Sequence, residues 1–400
     1  MFFYHIDLFI GMLRNEHLFF LLYLLVMKRT FDCTKAVPLH IQLCGDDKYK
    51  IEELKVTGFI GERDFALLTE MSQENGKLRV LDLSDITETE CEIYSPAADD
   101  TYCPTVGIRD DAFANSVRLE VVVLPKNIEM IGNRAFSGCT NLRDIDIPEK
   151  VTIWHLAFRN CPLLEEFYIG RKEYLNYICE DSFSGSIKRY NCDFDKWPVN
   201  ESGEPVCDSN FDDIFSFEGS VFSYATGWDE IEMERYPGGN CRNVYTVPDG
   251  VSSVKQYVFA GCRHLQTIIF PESCYILKEY SITNCPNLSA LLFKSKSLEG
   301  SRVCHWDMYY DNIITNCPNL KDIYLYAESP DGICFDIFER LDNIGDIILH
   351  VPCFCARNYW NHEEEYASIV YPNDKKYIKV WQKFKCIEEF DPIDFKDNLI

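Results

Sequence analysis

The stretch from Ile131 to Gly170, IGNRAFSGCTNLRDIDIPEKVTIWHLAFRNCPLLEEFYIG, says nearly the same thing twice: Ala135-Phe136, Cys139 and Leu142 return as Ala157-Phe158, Cys161 and Leu164. An earlier copy carries Ala112-Phe113, Ser116, Leu119 and Pro125, and later copies carry Phe259-Cys262-Leu265-Pro271, Ile282-Cys285-Leu288 and Ile314-Cys317-Leu320. The aromatic slot advances by 23 positions from Phe113 to Phe136 and by 22 from Phe136 to Phe158. It advances by 23 from Phe259 to Ile282 and by 32 from Ile282 to Ile314, so that last interval holds an insertion of about nine residues. The string NCPNL occurs verbatim at Asn284–Leu288 and again at Asn316–Leu320. A chain that repeats at this interval grows by stacking like units rather than by closing one globular core.

Each slot has a physical reading. LRDIDIP, LLEEFYI, LQTIIFP, LSALLF and LKDIYL alternate with period two, which predicts a short strand in every copy. One such strand buries nothing alone, and stacked copies form a parallel ladder at about 4.8 Å per coil. The following proline stops the pairing and starts a corner. VTIW and VSSVKQY then read as a second short edge of the coil. Ala-Phe supplies a small residue where backbones close up and then a large core filler. The cysteine after Asn or Gly is read as a small buried thiol in the stack, with no converging ligands for a metal. A period of about 20 to 29 with leucine, strand and turn is the leucine-rich solenoid signature.

IGNRAFSGCTNLRDIDIPEKV resembles the BspA-like, type 5 leucine-rich repeat, through Ile131, Ala135, Phe136, Cys139, Leu142, Ile145, Ile147, Pro148 and Val151. LKVTGFIGERDFALLTEM with LRVLDLSD resembles the opening of Bacteroides members, and LHVPCFCARNYW with WQKFKCIEEF resembles their ending. Cys353 and Cys355 depart from the usual turn there, and the stretch from Tyr359 to Trp381 is lengthened. The likeness covers about residues 50 to 390, with a gap at 193–240. It implies a right-handed α+β solenoid with a short parallel strand per coil, a cap with a helix at the start and an irregular exit cap. It further implies a non-enzymatic binding scaffold, secreted or on the cell surface, with adhesion known among some members. The repeat's constant positions are structural, so no binding residues carry over.

The expected organisation is a leader or targeting segment at 1–45, an N-terminal cap and first repeat at 46–100, and a first repeat block at 101–192. An irregular insertion or degenerate repeats at 193–240, a second block at 241–352 and a C-terminal cap at 353–400 follow. In the first cap, GERDFALLTEMSQ reads as an amphipathic helix with Phe65, Leu67, Leu68 and Met71 inward. Phe183 marks a weak further copy, and Trp360, Trp381, Phe384 and Ile387 read as the exit cap. LFFLLYLLVM at Leu18–Met27 is too short for a standard membrane span and has the length of a signal-peptide apolar region. A start at Met27 or a buried or membrane-associated helix are its other readings.

Net charge is −25, which disfavours nucleic acid and anionic membrane as partners. The 19 cysteines are an odd number in a chain too long for a small disulfide scaffold, so most are read as free. Cys353-Phe354-Cys355 is the local exception, as cap packing or a disulfide.

The strand register sharpens the expected ligand surface. Outward residues two places after the leucine are Val80, Val121, Asp144, Glu166, Thr267, Ala290, Asp322 and Asp346. Those four places after are Asp82, Val123, Asp146, Tyr168, Ile269, Leu292, Tyr324 and Ile348. This reads as an apolar stripe beside acids, suited to a protein ligand on a host or neighbouring cell, with Tyr168, Ile269, Leu292, Tyr324, Asp144, Glu166 and Asp322 as contacts. The bland reading is that Val, Ile and Tyr are simply good strand formers. A glycan ligand engaging Trp228 or Trp306, and a spacer with no ligand, are the alternatives.

Catalysis finds no support in the residue pattern. The histidines show no HExxH spacing, and P-loop, GxGxxG and GxSxG strings are missing. Cys304-His305 is an adjacent pair rather than an opposed one. The acids of WDEIEMERY read as a solvated face, and the sequons at Asn200 and Asn287 as incidental in the second case. No cofactor or metal is expected.

Overall fold

The computed structural model describes residues 28–95, 100–148, 150–170, 172–175, 177–192, 214–217, 220–224, 230–300, 312–334, 336–339, 341–362, 364–367, 375–378 and 380–392. The apolar run Leu18–Met27, Asn200, Trp228 and Cys304-His305-Trp306 lie outside them. The chain divides into two compact units, residues 1–164 with 177–182, and residues 165–176 with 183–400.

The first unit opens with parallel strands Lys28–Cys33, Glu53–Ile60 and Val80–Thr89, which the leucine-side strands Val121–Val123 and Asp144–Asp146 extend. The second edge of each coil forms its own parallel ladder, Gly107–Ile108, Met130–Ile131 and Thr152–Ile153. The expected helix runs Glu62–Ser72 and buries Phe65, Leu67, Leu68 and Met71. Its start is held by Asp64, a fully buried carboxylate that accepts from Gly61 N at 2.9 Å, His40 N at 2.8 Å and His40 Nδ1 at 2.6 Å. Ser72 Oγ meets Ser116 Oγ at 2.7 Å, which accounts for a serine in the slot where later coils carry cysteine.

In the second unit the leucine-side sheet is Val244–Thr246, Thr267–Phe270, Ala290–Phe293, Asp322–Leu325, Ile348–Pro352 and Cys386–Phe390, all parallel. The weak copy at Phe183 is a coil, since Arg189–Cys192 pairs in parallel with Glu166–Gly170 and Phe183 and Tyr190 are buried. The region read as irregular holds an antiparallel meander, Ile214–Phe217, Ser220–Tyr224 and Ile231–Arg235, whose last strand joins Val251–Val254 in parallel. In the exit cap Trp381 and Phe384 are buried as expected. Trp360 is not: it is 51% exposed, and its neighbour Tyr359 takes the buried place, 5.1 Å from Trp381 and donating from its hydroxyl to Ala327 O at 2.7 Å. The short helix Ala356–Asn361 has room for only one of two adjacent aromatics on its inner face.

Four rows tie coil to coil. In the first unit Phe113, Phe136 and Phe158 are fully buried and stacked, with centroids 5.2 Å apart in both pairs. In the second unit the aromatic slot passes to Ile282 and Ile314, and the stack moves to Phe270 and Phe293, 4.8 Å apart. Two places beyond the aromatic slot the backbone has positive φ, at Asn115, Gly138, Asn160, Gly261, Asn284 and Asn316. This is why Asn or Gly precedes the cysteine. The thiols of Cys139, Cys161 and Cys285 then donate to the carbonyls of Phe113, Phe136 and Phe259 at 3.1, 3.1 and 2.9 Å. Asn141, Asn287 and Asn319 donate from Nδ2 to Val117, Arg263 and Pro286 carbonyls at 2.6, 2.6 and 2.7 Å. Asn287 thereby ties its corner to the carbonyl of Arg263 on the preceding coil.

The fourth row is ionic. One place after the leucine slot, Arg79 bridges Glu52 and Glu120 at 3.3 Å each, and Arg143 meets Glu120 at 2.6 Å. In the second unit Lys188 pairs with Glu165 at 2.8 Å in the same slot. Separately, His155 Nδ1 lies 3.0 Å from Asp181 Oδ1. The hydrogen bond to Asp181, and then that to Cys179, push its pKa to about 10. Since the value is raised in the folded state, the pair stabilises fully below the unfolded histidine value of about 6.5, and the gain is lost as pH rises through about 10. The melting difference between wild type and His155→Gln is expected to be largest at pH 6 and to vanish above about pH 10. The side chain is 38% exposed, so the effect is small.

Candidate interaction surface

Parallel pairing fixes which side chains share the outward face. In the first unit Val80, Val121 and Asp144 form one column, and Asp82, Val123 and Asp146 the next. Leu81 and Val122, between them, are buried in the core. Asp144 and Asp146 are exposed and Val123 is 38% exposed. Asp82 is half-buried and held by Ser84 N at 2.9 Å and Lys55 Nζ at 3.3 Å. Burial alone would raise its pKa, but the Ser84 hydrogen bonds and Lys55 outweigh it and lower the value.

In the second unit Glu166 is exposed, with Asn191 Nδ2 at 3.0 Å, and Tyr168 is 50% exposed. Further along the picture changes. Ile269, Ala290 and Leu292 are 6%, 8% and 2% exposed, and they form a small cluster of their own with Tyr324 packed against it. The expected continuous apolar stripe is therefore not open there. Alternation separates these side chains from the main core, and it carries no information on how deeply they are buried. Tyr324 stacks on His350 at 4.1 Å and meets Phe390 edge-on at 5.5 Å. His350 Nε2 lies 2.9 Å from Asp322 Oδ1. Burial, with the charges of Asp322 and Glu388, pushes the Tyr324 hydroxyl up to about 12.

The last strand also sits two residues later than expected. Ile348 pairs with Asp322 and His350 with Tyr324, so His350, not Ile348, continues the tyrosine column, and Asp346 lies before the strand. A 3-10 turn takes up Ile344–Asp346 and leaves Ile347 to fill the core.

Of the acids of WDEIEMERY, Glu232 and Glu234 lie on the strand Ile231–Arg235 and are engaged, not solvated. Glu234, 5% exposed, accepts from Lys255 Nζ at 2.6 Å and Ser223 Oγ at 2.5 Å. Glu232 meets Lys278 at 2.8 Å and Lys255 at 3.3 Å. Burial would raise the Glu232 pKa, but Lys278 and Lys255 outweigh it and lower the value. A depressed carboxylate stabilises above its unfolded value of about 4.3, and that gain is lost as pH falls through the lower folded value. Glu232→Gln is accordingly expected to cost stability at pH 7, with the difference from wild type shrinking below about pH 4 in urea melts. Among the described residues the cysteines are free thiols, Cys353 and Cys355 included, and no group of three or more His, Cys, Asp or Glu could hold a metal ion. No helix among them is long and apolar enough to cross a membrane.

The sequence matches a family model for the BspA type leucine rich repeat region, in six copies over residues 106–207 and 229–353. The chain belongs to this family. Similar solved structures include a leucine rich cell surface protein of Faecalibacterium prausnitzii, 18% identical, covering 85% of this chain and 77% of that one, with a TM-score of 0.44. The pneumococcal vaccine antigen PcpA is 15% identical over 77% of this chain and 75% of its own, with a TM-score of 0.38. A leucine-rich repeat protein of Eubacterium ventriosum is 14% identical over 76% and 67%, with a TM-score of 0.37. No curated protein matches the sequence. The charge row is visible in the sequence once the copies are aligned, as alternating sign after the leucine, and the positive φ gives the reason for the Asn or Gly before each repeat cysteine.

Proposed function

We propose that the chain is a non-catalytic leucine-rich-repeat scaffold, secreted or held at the cell surface, that binds a protein partner through the outward face of its leucine-side strands. The observation that carries this is the division of each strand. Inward residues such as Leu81 and Val122 are consumed by the core, while Val123, Asp144, Asp146, Glu166 and Tyr168 stay exposed. Apolar and aromatic groups beside carboxylates suit a partner with an apolar centre and a basic rim. Tyr324 and Asp322 present their half-buried edges to the partner, and Leu292 and Ile269 follow Tyr324 along the same column.

Binding of the purified protein to cells or isolated surface proteins tests this, with each unit changed separately. Val123→Ser with Asp144→Lys and Asp146→Lys in the first unit, or Tyr168→Ser with Glu166→Lys in the second, is expected to weaken binding at least about tenfold and reduce its salt dependence. Unchanged affinity in both variants, with unaltered circular dichroism, would remove the proposal.

A further inference from the structure

We propose that Cys91 and Cys103 close a disulfide across one wall of the cleft in the N-terminal cap when the chain meets a disulfide oxidant, either an oxidised dithiol protein or a low-molecular-weight disulfide. The strands Ile93–Ser95 and Asp100–Tyr102 are antiparallel and pair Ile93 with Tyr102. Before them, Thr89 N donates to Thr105 O at 2.9 Å. Between these two pairings lie only Glu90, Cys91 and Glu92 on one side and Cys103 and Pro104 on the other, which keeps Cys91 and Cys103 close enough for the charge of Cys103 to act on the Cys91 thiol. A disulfide needs Cα atoms about 4.4–6.8 Å apart, a separation that the flanking antiparallel pairings, at about 4.5–5.5 Å, leave within reach. Both thiols line the same cleft, of about 650 Å³, together with Phe59, His40 and Asp64. Gly107 leaves room for this arrangement: a Cβ there would stand 3.2 Å from Cys91 Sγ.

The two cysteines differ in a way that orders the reaction. Cys103 is exposed and Cys91 is 4% exposed. Burial, with the charge of Asp110, also pushes the Cys91 thiol up to about 12. The Cys103 thiolate therefore attacks first: the oxidant's S–S bond breaks, a Cys103 mixed disulfide forms, and one thiol leaves with a proton. Cys91 then gives up its proton and attacks the Cys103 sulfur, expelling the second thiol. The pair loses two electrons and two protons, and the oxidant gains them as two thiols. The link ties together the strands Ile93–Ser95 and Asp100–Tyr102 at the wall of the cap, in a molecule whose repeat thiols stay reduced.

The test uses the folded full chain, purified reduced and exposed to oxidised glutathione. The protein is then unfolded, alkylated and digested without reductant. The expected product is a linked peptide pair holding Cys91 and Cys103, with both residues lost to alkylation. Cys44 and Cys353, exposed and distant in sequence, serve as internal references that take up single glutathiones. In Cys91→Ser, Cys103 is expected to retain glutathione. Wild-type Cys103 that keeps glutathione while Cys91 remains alkylatable, a Cys103 link to any other cysteine, or two unreacted thiols would each overturn the proposal.

Discussion

Phe136→Ala is expected to destabilise the first unit by about 3–5 kcal/mol in urea unfolding, the cost typical of truncating a fully buried aromatic. The ring is 0% exposed and lies between Phe113 and Phe158, with both centroids 5.2 Å away and interplanar angles of 16° and 4°. Two stacking contacts and the hydrophobic transfer are lost together. The cavity has little means of collapse, because backbone bonds hold the neighbouring coils at fixed spacing: Phe113 N donates to Ala135 O and Phe136 N to Ala157 O, both at 2.7 Å. Truncating Val123 to alanine removes an exposed side chain from the same sheet and should shift stability by no more than about 0.5 kcal/mol. Equal effects from the two substitutions would contradict a core built on the phenylalanine row. Hydrogen exchange should localise the Phe136→Ala loss to the coils around it, since each coil contacts only its neighbours.

The second large effect is in thiol chemistry. Cys44, Cys103, Cys241 and Cys353 are exposed, whereas Cys139, Cys161, Cys262, Cys285 and Cys317 are buried. Cys139, Cys285 and Cys317 are also held in their protonated form. The hydrogen bond with Cys161, then burial, pushes Cys139 far above the usual thiol range, and the bond with Cys285, then burial, does the same for Cys317. The thiolate is the reactive species, so both exposure and ionisation act in one direction. A maleimide pulse on the native protein should label the exposed set within minutes, and the repeat set should react at least about a thousandfold more slowly, until urea opens the coils. Labelling of Cys139 or Cys285 at the rate of Cys353 would show that the cysteine row is not packed as described.

The fold was legible because its information is periodic. Phe113, Phe136 and Phe158 recur at spacings that only stacked coils reconcile, and the alternation in LRDIDIP assigns inward and outward side chains without further input. The same logic failed where the period breaks. Ile231–Arg235 ends an antiparallel meander that no repeat announces and pairs in parallel with Val251–Val254. Ile348 was misplaced by two residues because a 3-10 turn before it mimics the leucine slot. The candidate surface was legible in direction only. Alternation sent Ile269 and Leu292 outward, yet outward is not the same as exposed: they are buried in a small cluster with Ala290, against which Tyr324 packs. Trp360 failed for a related reason: sequence alone does not tell which of two adjacent aromatics a one-turn helix points inward.

The row Glu52, Arg79, Glu120, Arg143 alternates in sign from coil to coil. Losing a single coil by recombination would set two arginines or two glutamates side by side, and duplicating one would do the same. Losing or gaining two at once keeps opposite charges adjacent. In this row even steps in copy number are therefore favoured over odd ones, by the modest amount that exposed ion pairs contribute.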